Sequence, residues 1–377
     1  MCLNPTKHAS MDRIECRIER PGQGSADHYK GVSMARQAFR FIALVSTLAL
    51  IAAACSSDTG TDTTEDPDAL KVIRFAFAPD PVWDYLVDSG IREEMETEAN
   101  IAILDSATWN EVGVYAGGNA DIMSVGDFEV PTIEQEFGIP SVVFGKYNID
   151  RSIVVASSDH SDYTTLADCA GGTVAVWDTL SSTTIWGVLA NELHDLDFRV
   201  DGGDFELVVV DITNTATQAA NGNTDCALVL PDFGIPVLMN EEVNVLYDGR
   251  TSADMYAEVV GKPGHEGPMI NIFLAREDWY DDHPEEVAFF LALWDRGVKE
   301  WAANRDEIIA SYPQHFAAEG DEQIAWMQDY LSEHDWFAKG IYLTEEWVES
   351  ESELFGLLEN AGLSDTSDPP RFEIVSP

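Results

Sequence analysis

Apolar residues along this chain fall into two alternating patterns. The run at 72–78 is apolar except for Arg74, as expected of a parallel strand buried on both faces. Shorter apolar runs at 100–104, 120–125, 142–145, 153–156, 173–177, 206–210, 226–230 and 269–275 predict further strands. Between them, the stretches 82–98, 108–116, 182–193 and 215–220 predict helices, and from 283 to about 359 the chain reads as helical. Strand alternating with helix in this way predicts an α/β fold built on parallel sheets.

One segment is echoed about a hundred residues later. Gly118-Asn119-Ala120-Asp121 opens a strand that ends near Asp127-Phe128, with Pro131 beyond. Gly222-Asn223-Thr224-Asp225 opens another that ends near Asp232-Phe233, with Pro236 beyond. The repetition predicts two lobes of similar topology, each with an Asp-Phe pair at the carboxyl end of a strand. In open α/β sheets ligands bind at those ends, and two of them facing each other make a cleft.

The N-terminal part follows neither pattern. Arg36 and Arg40 precede an apolar segment, 41–54, too short to span a bilayer. It closes on Ala52-Ala53-Ala54 directly before Cys55. Small residues suit the narrow pocket of a signal peptidase, and the thiol accepts an acyl chain. Residues 34–54 therefore read as a lipoprotein signal peptide similar to a bacterial lipobox, with Ala52 where Leu is commoner. The absence of paired arginines favours the general export route over the twin-arginine one. Met34 is the expected start, with 1–33, including Cys2 and Cys16, a mis-assigned extension. Residues 55–69 are nearly devoid of large apolar side chains and read as a flexible tether.

The balance of 68 acidic to 21 basic residues, a formal charge of −47, excludes nucleic acid as a partner, because phosphates would be repelled. It reads as a solvated acidic surface suited to salty surroundings. Enzyme signatures are missing from the sequence: no nucleophile elbow, no paired metal-binding histidines, no phosphate-cradling glycine loop. His265 and His283 stand alone beside loop residues, so no metal or other cofactor is expected.

Several segments together carry a likeness. Residues 118–121 look like a first-lobe signature, and 166–176 (Leu-Ala-Asp-Cys-Ala-Gly-Gly-Thr-Val-Ala-Val) like the turn and strand that open a second lobe. Thr179-Leu180-Ser181-Ser182-Thr183-Thr184 resembles a hydroxyl-rich turn before a helix, and His283-Pro284-Glu285-Glu286-Val287 and Trp301-Ala302-Ala303-Asn304 a C-terminal helical region. In this order, over roughly 70–345, the chain resembles the substrate-binding proteins of ABC importers of the nitrate, taurine, aliphatic-sulfonate and thiamine-precursor class. It departs from them in having Asp178 or Leu180 where a glycine usually precedes the hydroxyl turn. The resemblance implies a two-lobed type II periplasmic-binding fold, with 70–148 and 249–377 in the first lobe and 149–248 in the second. It also implies a monomer outside the cytoplasmic membrane, reaching the membrane only through its lipid. Such a protein captures one small molecule and docks on a membrane permease. In this fold the strands beside Cys169 and Cys226 enter the second sheet from the same end, so these two cysteines are expected to form a disulfide, permitted outside the cell.

Candidate ligand contacts follow. Ser181, Ser182, Thr183 and Thr184 precede a helix whose free amides favour an anion, beyond the single hydroxyl that capping needs. Asp232 is expected to accept from an ammonium group, or else to cap a turn. Asp127 is either a second such acceptor or the N-cap of a helix at 128–137. Phe128 and Phe233 wall the cleft or fill the core. Trp83, Trp109 and Trp186 stand just past strands, where aromatic faces attract a cation or cover a small ligand. A helix terminus for an anion and Asp232 for a cation together fit a zwitterion such as taurine, with a neutral heterocycle between tryptophans as the second choice. A sensor ectodomain is the alternative to a transport component. Enzymes on this fold that make thiamine pyrimidine or act in menaquinone synthesis are intracellular, which the export signal argues against. If Cys55 carries the lipid, Cys55→Ala will release the protein from membranes or block its processing, read by membrane fractionation and mass.

Overall fold

The structure, a computed structural model, describes residues 69–200 and 202–377, and of Ser182 the backbone alone. The signal segment, Cys55 and the tether as far as residue 68 lie outside the described residues. No helix among the described residues is long and apolar enough to cross a membrane.

Eleven strands among these residues form two sheets. The first contains β1 (Lys71–Phe77), β2 (Ile101–Ala107), β3 (Ile122–Val125), β4 (Ser141–Ile149), β10 (Met269–Arg276) and β11 (Arg371–Phe372). Its order is β11-β4-β10-β3-β1-β2. The second contains β5 (Ile153–Ser157), β6 (Thr173–Val176), β7 (Glu206–Val209), β8 (Cys226–Val229) and β9 (Val243–Val245), in the order β7-β6-β8-β5-β9. In each sheet a central strand is flanked by two parallel partners, β1 by β2 and β3, and β6 by β7 and β8. An opposed strand follows: β10 runs antiparallel to β3 and β4, and β5 antiparallel to β8 and β9. The same arrangement thus occurs twice, in two lobes of α/β architecture.

The echoed turns occupy equivalent places in the two sheets. Gly118 and Gly222 sit at φ 73° and 64°, where a Cβ would be strained. The aspartate three residues on then clips its strand to the central one: Asp121 accepts the amide of Arg74 on β1 at 2.8 Å, and Asp225 that of Thr173 on β6 at 2.7 Å. Asp121 also takes the Arg74 guanidinium, and Asp225 the Thr173 hydroxyl. The shared sequence is therefore a shared strand-pairing device.

Helix limits differ from the sequence reading in two places. The stretch 82–98 is two helices, Pro81–Asp88 and Ile91–Ala99, because Gly90 turns left-handed between them. The first is well started, with Asp80 capping and proline in the first turn. The region from 283 to 359 is likewise broken, into Pro284–Ser311, Gly320–Glu333 and Glu345–Asn360. Residues 334–344 leave the helix so that Trp336 and Phe337 can pack on Trp301, with ring centroids 6.3 and 4.8 Å away. β9 and β11 were not expected from the sequence; each is short, with too few residues to show a pattern.

The lobes also divide the chain differently from the expected boundaries. Helix Ser252–Val259 and most of Glu345–Asn360, expected in the first lobe, pack on the second: Met255, Tyr256, Leu354, Phe355 and Leu358 share a core with Trp186, Val174 and Leu228. Residues 354, 355 and 358 form one apolar helix face turned to that core, with Phe372 of β11 at its edge. Trp347, near the start of the same helix, is buried instead with Met269 and Leu274 of the first sheet. This helix therefore spans both cores.

Cys169, just before β6, and Cys226, at the start of β8, are joined by a disulfide, with Sγ atoms 1.97 Å and Cα atoms 6.2 Å apart. It closes a loop of 57 residues, and loop closure of this length is worth about 4 kcal/mol in the chain-entropy model. The double substitution Cys169→Ala, Cys226→Ala should lower unfolding stability by up to that amount, and a reductant should do the same to the native chain. Denaturant unfolding with and without reductant measures both.

Candidate ligand-binding cleft

The carboxyl ends of the parallel strands of both sheets open on one cavity of about 520 Å³. The first lobe contributes residues that follow β1 (Asp80), β2 (Trp109, Glu111) and β3 (Glu129), with Asn148 from β4 and Asn271 from β10. The second lobe contributes Trp177, Asp178 and Ser181 after β6, and Asp232 and Phe233 after β8. Arg151, in the crossover between β4 and β5, and Trp336, in the segment after helix Gly320–Glu333, complete the floor.

Arg151 ties these parts together. Its Nε and Nη2 donate to the two carboxylate oxygens of Asp232, each at 3.1 Å. Its guanidinium lies 3.9 Å from the centroid of the Trp336 ring. At the mouth, Trp109 of the first lobe meets Phe233 of the second edge-on, with centroids 6.3 Å apart. Trp109 is 68% exposed, so its face is free for a ligand.

Burial sets the charge states here. It pushes the Glu129 carboxyl up to about 8, against the pull of the Gly126 amide that Oε2 accepts at 2.8 Å. The charges of Asp178, Glu111 and Asp127 push in the same direction. Burial likewise raises Glu111 to about 7, and its Oε2 has no hydrogen-bond partner. Asp80 is also raised by burial, although the charge of His315 and the amides it caps oppose the shift. His315 donates or accepts at Asp84, 2.7 Å away.

A family model described as NMT1/THI5 like matches residues 112–308, just over half of the chain. The chain belongs to the NMT1/THI5-like family. No curated protein sequence matches it. Among solved structures, it is similar to the periplasmic aliphatic sulphonate binding protein SsuA from Escherichia coli, with 16% identity over 81% of this chain and 94% of that one, and a TM-score of 0.62. The alkanesulfonate-binding protein SsuA from Xanthomonas axonopodis pv. citri superposes at 0.59, with 12% identity over 80% and 97%. The ligand-binding component of an ABC-type import system from Staphylococcus aureus superposes at 0.54, with 12% identity over 81% and 97%. At these identities the likeness is one of fold, and the fold of this family member is that of type II periplasmic-binding proteins.

Of the residues singled out by sequence, Trp109, Ser181, Asp232 and Phe233 line the cleft. The others do not. Trp83 is core, stacked on Trp294 at 5.6 Å with its indole N–H directed to Asp105. Trp186 is fully buried and donates to Ser152 Oγ. Phe128 joins the core of the second lobe. Asp127 is also fully buried, accepting the amides of Phe128 and Met269 and lying beside Glu351. The echo explains its fate: Asp127 comes two residues after β3 and Asp232 three after β8, so the helical turns that follow aim the two side chains differently.

The hydroxyl turn is not an open anion cradle. Thr183 and Thr184 donate back to the carbonyls of Asp178 and Leu180 at 2.8 and 2.7 Å. The amides of Leu180 and Ser181 are already taken by the Asp178 carboxylate, at 2.9 and 2.7 Å. The Asp178 carboxylate thus takes the two amides of the turn to itself. Asp232 is not a free ammonium acceptor either, since Arg151 neutralises it.

Sequence reasoning missed Arg151, Trp336, Asn148 and the two buried glutamates. Arg151 was the readable one: a guanidinium placed between two apolar strands has to find a buried partner. Because Glu129 is raised when folded, it binds its proton more tightly in the native than in the unfolded chain. Its contribution to stability is therefore complete below its ordinary value and lost as pH rises through about 8. Glu129→Gln should flatten the fall in melting temperature between about pH 5 and pH 9 and raise it above wild type at the alkaline end, as a pH series of thermal melts would show.

Proposed function

We propose that this chain is the solute-binding component of an ABC-type importer, a binding protein and not an enzyme. It is anchored outside the cytoplasmic membrane by lipid on Cys55, captures one small molecule between its lobes and delivers it to a permease. The observation that carries this reading is the cavity at which the carboxyl ends of both sheets converge. Family membership and the solved structures named above, two of them sulfonate-binding proteins, support it.

Of the two ligands considered from sequence, taurine requires a free cation for its sulfonate and a free carboxylate for its ammonium. Arg151 and Asp232 satisfy each other instead. That leaves the second choice, a neutral heterocycle against Trp109 and Phe233, as the better of the two. In a thermal-shift screen of the full chain against taurine, alkanesulfonates, nitrate, pyrimidines and small amines, one compound should raise the melting temperature. At a hundredfold excess over its dissociation constant the gain is about 2.7 kcal/mol. Small-angle scattering should show compaction with the same compound, and the compound should be recovered unaltered. Recovery of a chemically changed compound would replace the transport reading with an enzymatic one.

A further inference from the structure

Acid outnumbers base in the cleft. Asp80 and Asp232, both buried, and the half-buried Glu111, Glu129 and Asp178 line it, against Arg151 and His315. Arg151 is engaged by Asp232, and His315 lies 2.7 Å from Asp84. Glu111 and Glu129 form no ion pair among the described residues. A chain of net charge −47 is expected to carry acid on its surface, but carboxylates held away from water without a partner are costly.

A second observation points the same way. Asn148 is only 5% exposed and lines the cleft. Its amide nitrogen donates to Asp80 and Asn271 at 3.3 and 3.1 Å, while its Oδ1 has no partner. The unmet polar atoms of the cleft, Asn148 Oδ1 and Glu111 Oε2, are thus both acceptors. The exposed aromatic walls present π faces, which attract positive charge. Glu129 of the first lobe and Asp178 of the second line the same cavity, so a cation there would be held from both sides.

We propose that the solute is a small, flat organic cation carrying N–H donors, received by Asn148 Oδ1 and by the acidic side chains Glu111 and Glu129. This rests on the binding-protein reading above. An anionic sulfonate at the same place would meet uncompensated acid, with no free cation to receive it.

The test is calorimetric titration of the full chain with methylguanidinium, agmatine and 4-aminopyridinium. Methylurea serves as the uncharged analogue of the first, and methanesulfonate and taurine as the anionic and zwitterionic arms. At least one of the cations is expected to bind, methylguanidinium at least tenfold tighter than methylurea if it is the one, and methanesulfonate not at all. Glu129→Gln should weaken that cation at least tenfold, and Glu111→Gln serves as the second variant if the first melts early. Methylguanidinium and agmatine keep a guanidinium charge at every pH used, so their binding should strengthen as pH rises from 6 to 9, because the carboxyl groups release protons to receive them. Binding of methanesulfonate or taurine in preference to every cation, unchanged by Glu129→Gln, would overturn the cation inference and leave the binding-protein reading intact. Failure of all probes overturns the inference as well; if the solute screen and scattering also show neither stabilisation nor compaction, the binding-protein reading falls with it.

Discussion

The cleft depends on one guanidinium. Arg151 enters from the crossover between the lobes and is almost wholly buried. Losing either neighbour would strand its charge, and an unpaired buried charge costs several kcal/mol. Asp232 answers it with a two-pronged carboxylate and Trp336 with a ring face. Three segments far apart in sequence must therefore arrive together: the crossover, the turn after β8, and the non-helical stretch after Glu333. The rest of the floor is arranged around that meeting point. The ion pair also uses up the one arginine of the cleft, so that cation is not available to a ligand.

The strand skeleton was largely legible in the sequence, because buried strands write themselves as apolar runs. The Gly-Asn-x-Asp repeat was legible for the same kind of reason: a left-handed turn and a strand-clipping aspartate need particular residues, and both lobes need them. Side-chain destinations were less so. Asp127 and Asp232 look alike in sequence, yet one is sealed behind the cleft and the other opens on it, through a single residue's difference in spacing. Thr183 and Thr184 looked like anion donors because the carbonyls of Asp178 and Leu180, to which their hydroxyls donate, cannot be seen as partners in a sequence. Trp336 was hidden inside what read as uninterrupted helix, since only the tertiary contact with Trp301 explains why the helix stops.

Asp178 folds back on the turn before the helix and accepts the amides of Leu180 and Ser181 with its own carboxylate. An anion at that turn would have to compete with it. Together with the raised carboxyl groups of Glu111 and Glu129, this makes the electrostatic character of the cavity a local property, separate from the acidity of the protein surface, where water and salt screen charge.

Helix Glu345–Asn360 has a mechanical consequence. Its sixteen residues make a stiff rod about 24 Å long, with Trp347 seated in one core and Leu354, Phe355 and Leu358 in the other. Sliding the lobes apart would pull one set of anchors into water, at roughly 1.5–3 kcal/mol for each large apolar side chain. Turning the lobes about the rod leaves both ends buried. The molecule is thus built as a pivot with one soft coordinate, and the free energy of capture is spent on rotation along it instead of on assembling the two halves.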